Sequence, residues 1–509
     1  VFGGASNGVG DFDWFRFEAG AAATNTPTAT RTNTSVAPAT PTYTATPASG
    51  CNYYVSLTGS DTTGNGSAGN PWRTVRYACQ QVAANSGCTI NVGVGTFVES
   101  DIISIRSGVN LLGAGSGQTT IRVNHYFSLT AAVPNANPHV HTFPEHFVIQ
   151  MNGSNQMIKG FALDGQSKQC HGGIYAPYAN NIIFDDLNIQ NFRYCGLWVV
   201  RGDDVEIKNC YMKDNTYGNP SSSGNGGGDS GALQLHRGYN VLVHDNTIIE
   251  TGNLGPDKGG YAIKGQNITY GEDPVPLSGL KIYNNYLQVP QAGAWENGMA
   301  PAISIEMLTV KLDNMEIYNN YINNHVSLPT RPYAGVAGRI HHNYFDLGLG
   351  RYAYGVEVST DGLEIDHNFF YGGIYPIAEW GGTDYNHTIH HNIFQGQWAN
   401  REIIQYSTSP SGFKFYNNTV IDTTGIGSIF ACFGGNYSGV DIRNNIFMST
   451  VGNRGDIMGV TLSGTISNNC FYNINQRGTS NLVTNPNLVL SGAKPDPYFA
   501  PNNGAPVID

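Results

Sequence analysis

Hydrophobic and polar residues alternate in a short phrase that recurs nine times between residues 241 and 472. Most copies have a β-branched or aliphatic residue three positions before an Asn and an aromatic or aliphatic pair after it, as in LKIYNNYL and LEIDHNFF. The Asn residues in register are Asn246, Asn285, Asn320, Asn343, Asn368, Asn392, Asn418, Asn445 and Asn469. Successive intervals of 39, 35, 23, 25, 24, 26, 27 and 24 residues indicate a stacked solenoid with occasional insertions.

The period of two within each phrase predicts β-strands rather than helices. One repeat is too short to bury a hydrophobic face alone, so the strands must stack in parallel on neighbouring coils, ~4.8 Å apart. Asn residues at one turn can then hydrogen-bond up and down the stack. The predicted fold is therefore all-β, a right-handed parallel β-helix.

Composition agrees with this architecture and limits the partners. Only 12% of the 509 residues are charged, whereas 64 Gly and 29 Tyr suit the turns and stacked strands of a solenoid. The net charge of −11 argues against nucleic acid, whose phosphates require clustered Lys and Arg. No apolar run approaches the ~20 residues that a membrane helix needs.

The chain starts at Val1 and ends abruptly, so we expect both termini to be cut from a longer product. The lack of a signal peptide therefore says nothing about secretion.

The first 50 residues differ from the rest of the chain. Residues 1–20 contain GVGDFDWFRFE, which resembles the closing strand of a family 6-type carbohydrate-binding module. A single strand cannot fold by itself, so we interpret this segment as the remnant of such a module. Residues 21–50 are mostly Thr, Pro and Ala, and they resemble the linkers of secreted bacterial polysaccharide-degrading enzymes. Residues 51–509 are expected to form the β-helix.

The beginning of this domain, CNYYVSLTGSDTTGNGSAGNPWRTVRYACQQV, resembles the opening of pectate-lyase-like β-helices. The resemblance implies an N-terminal capping helix, roughly over residues 74–84, that covers the open end of the solenoid. The final segment, NPNLVLSGAKPDPYFAPNNGAPVID, is similar to closing segments of the same superfamily. That superfamily includes secreted lyases that depend on Lys or Arg and often use Ca²⁺, although no family signature motif matches here residue by residue. We expect an extracellular monomer that acts on polysaccharide.

Eight cysteines are present, and none has the spacing of a zinc knuckle. Cys170 and Cys195 are one period apart, and Cys79 and Cys88 flank a short connection, so both pairs are candidate disulfides. The alternative is that these residues are buried free thiols.

The strand before each Asn phrase carries the candidate chemistry. If its aliphatic residues point inward, the alternate positions face outward on one sheet. This outward set comprises Tyr175, Trp198, Gln234, His236, Lys264, Ser304, Glu306, Glu357 and either Glu379 or Trp380. Long insertions at 218–230, 252–260, 266–278 and 288–299 belong to the same middle coils, and such loops commonly build a binding face.

One mechanism that this set predicts is β-elimination on a uronic-acid-containing polysaccharide. Lys264 is the candidate base, because a lysine crowded by strands and cations loses its proton more easily. His236 and Arg237 on the preceding coil would face the substrate carboxylate. The expected substrate-binding residues are Tyr175, Trp198, Arg201, Gln234, Glu379 and Trp380. Lys264 could equally be a solvated surface lysine, and each aromatic residue could be packing.

A second mechanism is glycoside hydrolysis by paired carboxylates. Two coil steps would separate Glu306 from Glu357 by roughly 9–10 Å, near the upper limit for inversion. If Glu379 faces outward, it would lie about 5 Å from Glu357, which fits retention. These residues could instead bind sugar hydroxyls or a cation.

Two further possibilities lie outside enzyme catalysis. The solenoid could be a non-catalytic, adhesin-like glycan-binding protein. His342, His367 and His391 precede the repeated Asn on three consecutive coils, so their rings are predicted to stack at one turn, with a metal site as the less favoured interpretation.

Overall fold

The computed structural model describes most of the chain from Cys51 onward. The described ranges are 51–124, 147–166, 170, 172–216, 230–251, 260–266, 277–289, 301–306, 312–324, 326–328, 336–348, 354–358, 362–379, 387–397, 399–433 and 435–488. The expected module remnant and linker, residues 1–50, and Trp380 lie outside these ranges.

Nearly all regular structure in these ranges is β, and the ladders between the strands are parallel, which confirms the right-handed parallel β-helix. One sheet has 12 strands. Its strands, in order along the stack, are Ile103–Arg106, Phe147–Asn152, Gly172–Pro177, Cys195–Val200, Ser230–His236, Gly260–Gln266, Ile303–Glu306, Val326–Leu328, Tyr354–Val358, Tyr375–Glu379, Glu402–Tyr406 and Ser428–Cys432. We call it the 12-stranded sheet.

The other large sheet has 28 strands and bends into two flanks at the repeated Asn turn. The first flank comprises Asn52–Val55, Thr89–Val92, Asn110–Gly113, Val205–Lys208, Val241–His244, Lys281–Tyr283, Leu312–Tyr318, Val336–His341, Glu364–Asp366, Thr388–His390, Lys414–Tyr416, Tyr437–Arg443 and Leu462–Ser467. The second flank comprises Gly95–Glu99, Thr119–Val123, Tyr211–Lys213, Thr247–Ile249, Tyr286–Gln288, Tyr321–Ile322, Tyr344–Gly348, Phe369–Gly372, Ile393–Gln395, Thr419–Asp422, Ile446–Ser449, Cys470–Tyr472 and Leu482–Val483. Gln156–Asp164 and Ile182–Gln190 run through both flanks, and Gly238–Tyr239 pairs separately with Leu277–Ser278.

The repeated Asn residues form a continuous ladder inside the turn between the two flanks. Asn343, for example, donates from Nδ2 to Oδ1 of Asn368 at 3.0 Å and accepts at Oδ1 from the backbone N–H of Asn320 at 3.1 Å. The residue before each Asn adopts a left-handed backbone conformation, as at His342 with φ 55°. Asn, Asp and His tolerate this conformation better than other non-Gly residues, which explains why they occupy the position.

A short helix, Val75–Gln81, covers the first coil and confirms the predicted cap, although it is shorter than expected. The side chain of Thr74 accepts a hydrogen bond from the backbone N–H of Tyr77. The buried carboxylate of Glu99 accepts from the N–H groups of Val75 and Arg76 at 2.8 and 3.1 Å. A strand of the solenoid therefore holds the helix by its N-terminus.

The cysteine pairs predicted from spacing are wrong. The structure joins Cys51 to Cys88, whose Cα atoms are 4.7 Å apart, whereas Cys79, Cys170 and Cys195 are buried free thiols. Cys51 and Cys88 come together because the first two strands of the first flank pair in register, with Asn52 opposite Thr89. One period in sequence does not ensure that two side chains share a column.

A buried carboxyl group makes the stability of one coil dependent on pH. Glu250 accepts hydrogen bonds from the N–H groups of Asn215 and Thr216, but burial outweighs them and raises its pKa from 4.5 to about 7. The unfolded chain therefore loses this proton first as pH rises. We expect the free energy of unfolding to fall by about 3 kcal/mol between pH 4.5 and 7 on account of this group.

Thermal or denaturant unfolding across this pH range would measure the effect. Glu250→Gln cannot ionise, so its stability should change less than that of the wild type over the same interval. Parallel pH profiles for the two proteins would contradict the assignment.

No helix among the described residues is long and apolar enough to cross a membrane.

Candidate functional site

The predicted outward column exists on the 12-stranded sheet. Its backbone register aligns Gln150, Tyr175, Trp198, Gln234, Lys264, Ser304, Ser327, Glu357 and Ala378. The positions between them, such as Leu233 and Leu235, point into the hydrophobic core. Stacking thus brings residues from distant segments onto one wall, as the strand pattern indicated.

Lys264 lies near the middle of this column and is fully buried, not a solvated surface side chain. Its Nζ lies 4.6 Å from the centre of the Tyr261 ring, which is a cation–π distance. Gln234, the neighbour of Lys264 on the preceding coil, is also fully buried. Neither amide atom of Gln234 has a hydrogen-bond partner among the described residues. A buried amide in this state is a ready donor and acceptor for a polar ligand.

Three basic residues meet beside this column, where the chain leaves the 12-stranded sheet. His236 ends its strand, and Arg237 follows in a left-handed conformation with φ 62°. Arg201 occupies the same turn on the preceding coil. The backbone N–H of Arg201 donates a hydrogen bond to the backbone carbonyl oxygen of His236 at 2.7 Å. Arg201 also lies over the Tyr178 ring at 5.5 Å. The structure therefore places these three predicted site residues on adjacent coils.

The two predicted aromatic platforms are packed rather than open. Tyr175 and Trp198 are 6% and 3% exposed and form a cluster with Phe147 and Tyr194 on the outer face of the sheet. The rings of Tyr175 and Trp198 are 5.5 Å apart, edge to face. In this arrangement neither ring presents a free face to a sugar, and the Trp198 ring instead contacts His236 at 5.1 Å.

The expected carboxylate pair is farther apart than the sequence suggested. Glu306 pairs with Gln266 and lies two residues beyond the position aligned with Glu357. Two coil steps and two residues along the strand separate their Cα atoms by about 12 Å rather than 9–10 Å. The Glu306 side chain lies outside what the structure describes. Glu357 accepts a hydrogen bond from Ser327 Oγ at 2.7 Å.

Glu379, one of the two alternatives for the last outward position, faces inward. It aligns with Val358 and Tyr406 in an inward column, is fully buried, and accepts hydrogen bonds from the N–H and Oγ of Ser407 at 3.1 and 3.0 Å. Its neighbour Ala378, not Glu379, shares the column of Glu357. Because Ile377, two residues earlier, also points into the core, strict alternation places Glu379 on the inward face.

The predicted histidine stack is confirmed at the Asn-ladder turn. The rings of His342, His367 and His391 are parallel and 4.7 Å apart. Burial lowers the pKa of His342 and of His391 to about 4. This stack lies on the 28-stranded sheet, away from the column of Lys264.

Sequence reasoning missed a second column beside this stack, on the first flank. It contains His341, Asp366 and His390 in register. Arg339 holds the buried Asp366 carboxylate with bonds of 2.6 and 2.5 Å. Burial alone would raise the pKa of Asp366, but hydrogen bonds from His367 and Arg339 lower it well below its usual range. The doubled polar residues of the phrases IHHN, IDHN and IHHN were the available signal.

An open trough of about 570 Å³ lies on the same flank. Its walls include Lys281 paired with Glu316 at 2.7 Å, and Arg339 within 3.9 Å of Glu364. Mutually paired surface charges of this kind are common on solenoids and carry little net energy.

Several solved structures are similar to this chain at low sequence identity. The Agl-KA catalytic domain has 12% identity and a TM-score of 0.46, with 71% of this chain and 63% of that chain covered. The Streptococcus pneumoniae surface protein and adhesin PfbA has 14% identity and a TM-score of 0.42, with coverages of 79% and 94%. Pectate lyase Pel9A has 14% identity and a TM-score of 0.38, with coverages of 70% and 81%.

A search against curated protein sequences gives no significant match. The family comparison does give one. Residues 147–337, which include the strands carrying Tyr175, Trp198, Gln234, His236 and Lys264, match the family described as the right handed beta helix region.

Proposed function

We propose that the protein is an extracellular polysaccharide lyase that cleaves a uronic-acid-containing polymer by β-elimination on the outer face of the 12-stranded sheet. The observation that carries this proposal is the register that aligns Lys264 with the buried amide of Gln234, which has no hydrogen-bond partner in the described part of the chain. The next outward position, two residues along the same strand as Gln234, is occupied by His236. A base, a neutral amide and a basic cluster are thereby close together.

The proposed chemistry uses each of these groups in turn. The neutral amine of Lys264 would remove the proton from C5 of the uronate, and burial away from water favours the neutral form of an amine. The electron pair of the broken C–H bond forms the C4–C5 double bond, while the C4–O bond to the leaving sugar breaks. Arg237 and His236 would stabilise the negative charge that develops on the carboxylate. The departing oxygen takes up a proton, which completes the elimination.

The geometry disfavours the hydrolytic alternative. Glu379 lies in the core, so the closely spaced pair with Glu357 that retention requires is not formed, and Glu306 and Glu357 are about 12 Å apart at Cα.

Incubation of the protein with polygalacturonate, alginate and neutral glycans tests the proposal. We expect new ultraviolet absorbance from the unsaturated uronate product with one of the acidic polymers and none with neutral glycans. New reducing ends without this absorbance would mark hydrolysis, and retention of a glycan without cleavage would mark a binding protein. Either result would overturn the lyase assignment.

Calcium dependence forms part of the same assay. We propose that Ca²⁺ bridges enzyme and substrate carboxylates, because hard cations prefer oxygen ligands. A rate that falls after chelation and recovers with Ca²⁺ would support this role. A rate unchanged by chelation would show that the basic residues neutralise the substrate carboxylate without Ca²⁺.

A further inference from the structure

Five histidines lie close together on three consecutive coils of the 28-stranded sheet, whereas Lys264 belongs to the 12-stranded sheet. They are His341, His342, His367, His390 and His391. Two chain-adjacent pairs point their ring nitrogens at each other. The Nδ1 atoms of His390 and His391 are 2.7 Å apart, and those of His341 and His342 are 2.9 Å apart.

The partner of His390 fixes where its proton sits. Its Nε2 lies 2.9 Å from Oε1 of Glu364. A carboxylate can only accept a hydrogen bond, so the imidazole proton is on Nε2. The Nδ1 atom of His390 therefore presents a lone pair to His391.

The partner of His391 leads to the same tautomer. Its Nε2 lies 3.1 Å from the side-chain amide of Asn417, whose buried Oδ1 has no hydrogen-bond partner among the described residues. Rotating this amide by half a turn brings Oδ1 to the Nε2–H of His391 and satisfies the orphaned oxygen. Nδ1 of His391 then also carries a lone pair. Two lone pairs at 2.7 Å repel each other unless a cation lies between them.

His367 supplies a third ligand from the adjacent coil. One ring nitrogen from each of His367, His390 and His391 lies within 4.8 Å of the others. Tetrahedral coordination with metal–nitrogen bonds of about 2.0–2.1 Å needs nitrogens roughly 3.3 Å apart, so ring movements of about 1 Å complete the site. Imidazole ligands suit Zn²⁺, Cu²⁺ and Ni²⁺ rather than Ca²⁺ or Mg²⁺.

We propose that His367, His390 and His391 bind one divalent transition-metal ion, for which Zn²⁺ is the probe, on the outside of the Asn-ladder turn. Glu364 orients His390 as the second-shell carboxylate of the site. The ion joins two neighbouring coils and stabilises their stacking. This site is separate from the proposed lyase centre, and its occupancy can be measured without any substrate.

Zn²⁺ titration of the full chain by calorimetry, after treatment with a chelator, tests this proposal. We expect one equivalent to bind, Co²⁺ to give the visible absorption of a tetrahedral site, and bound Zn²⁺ to raise the melting temperature. His391→Asn should weaken binding at least 10-fold. The variant should fold, because Asn occupies the same left-handed position of the turn at Asn284, Asn319 and Asn417.

Two further variants distinguish this site from non-specific binding to exposed rings. Glu364→Gln should weaken Zn²⁺ binding by 10-fold or more, since loss of a second-shell carboxylate typically costs that much. His342→Asn is the matched control, with the same change at the same turn one coil away from His367, and should leave the affinity unchanged. Absence of Zn²⁺ binding to the wild type, or equal losses in His342→Asn and His391→Asn, would overturn the proposal.

Discussion

Replacing Lys264 with Met is expected to lower the rate of polysaccharide cleavage by about 10³-fold, within the range that general bases contribute. Met has a similar length and keeps the apolar contacts of the lysine stem in its buried site. It cannot accept the C5 proton. The rate of formation of unsaturated product, measured under saturating substrate, reports the loss.

Lys281→Met is the matched control for this experiment. Lys281 lies on the first flank of the 28-stranded sheet, pairs with Glu316 at 2.7 Å and is 28% exposed in its side chain. Its replacement should leave the rate unchanged, and a thermal unfolding curve for both variants would verify that each is folded. If Lys264→Met kept more than a tenth of the wild-type rate, Lys264 would not be the base.

Replacing Asn368 with Ala is expected to lower the free energy of unfolding by about 3–4 kcal/mol, because several buried polar groups lose partners at once. Asn368 is fully buried and donates from Nδ2 to the carbonyl oxygen of Ile340 and to Oδ1 of Asn392, at 2.8 and 3.0 Å. Its Oδ1 accepts from the N–H and from Nδ2 of Asn343, both at 3.0 Å. Ala provides none of these contacts and leaves a cavity. Denaturant unfolding measures the change.

Asn319→Gly is the matched control, because Asn319 lies in the same kind of turn with φ 55° but immediately before the ladder. Glycine adopts this conformation without strain, so a change within about 0.5 kcal/mol is expected. A loss of less than 1 kcal/mol in Asn368→Ala would contradict the view that the ladder stabilises the stack.

Several features of the fold followed directly from the sequence. The recurring Asn phrase predicted the coils and the Asn ladder, since only in-register stacking satisfies identical buried amides. The same register predicted that Gln234 and Lys264 are neighbours on one wall. Stacking of His342, His367 and His391 followed from their equivalent positions.

Other features depended on contacts that no local pattern records. The charge of Glu379, the last residue of its strand, suggests an outward side chain, but Ser407 on the next coil satisfies its carboxylate in the core. Tyr175 and Trp198 occupy the outward column as predicted, but Phe147, from an earlier coil, packs against both. A polar residue can face inward, and an aromatic residue outward, wherever a neighbour from another coil compensates.

The sequence by itself determined that this protein is a parallel solenoid and that the repeated Asn residues share one column, because both depend on a period that is written along the chain. Only the tertiary structure decided which columns are buried, which cysteines pair and which histidine nitrogens face each other. These outcomes depend on small lateral offsets between coils and on side chains that meet across them, and a periodic pattern does not encode such distances.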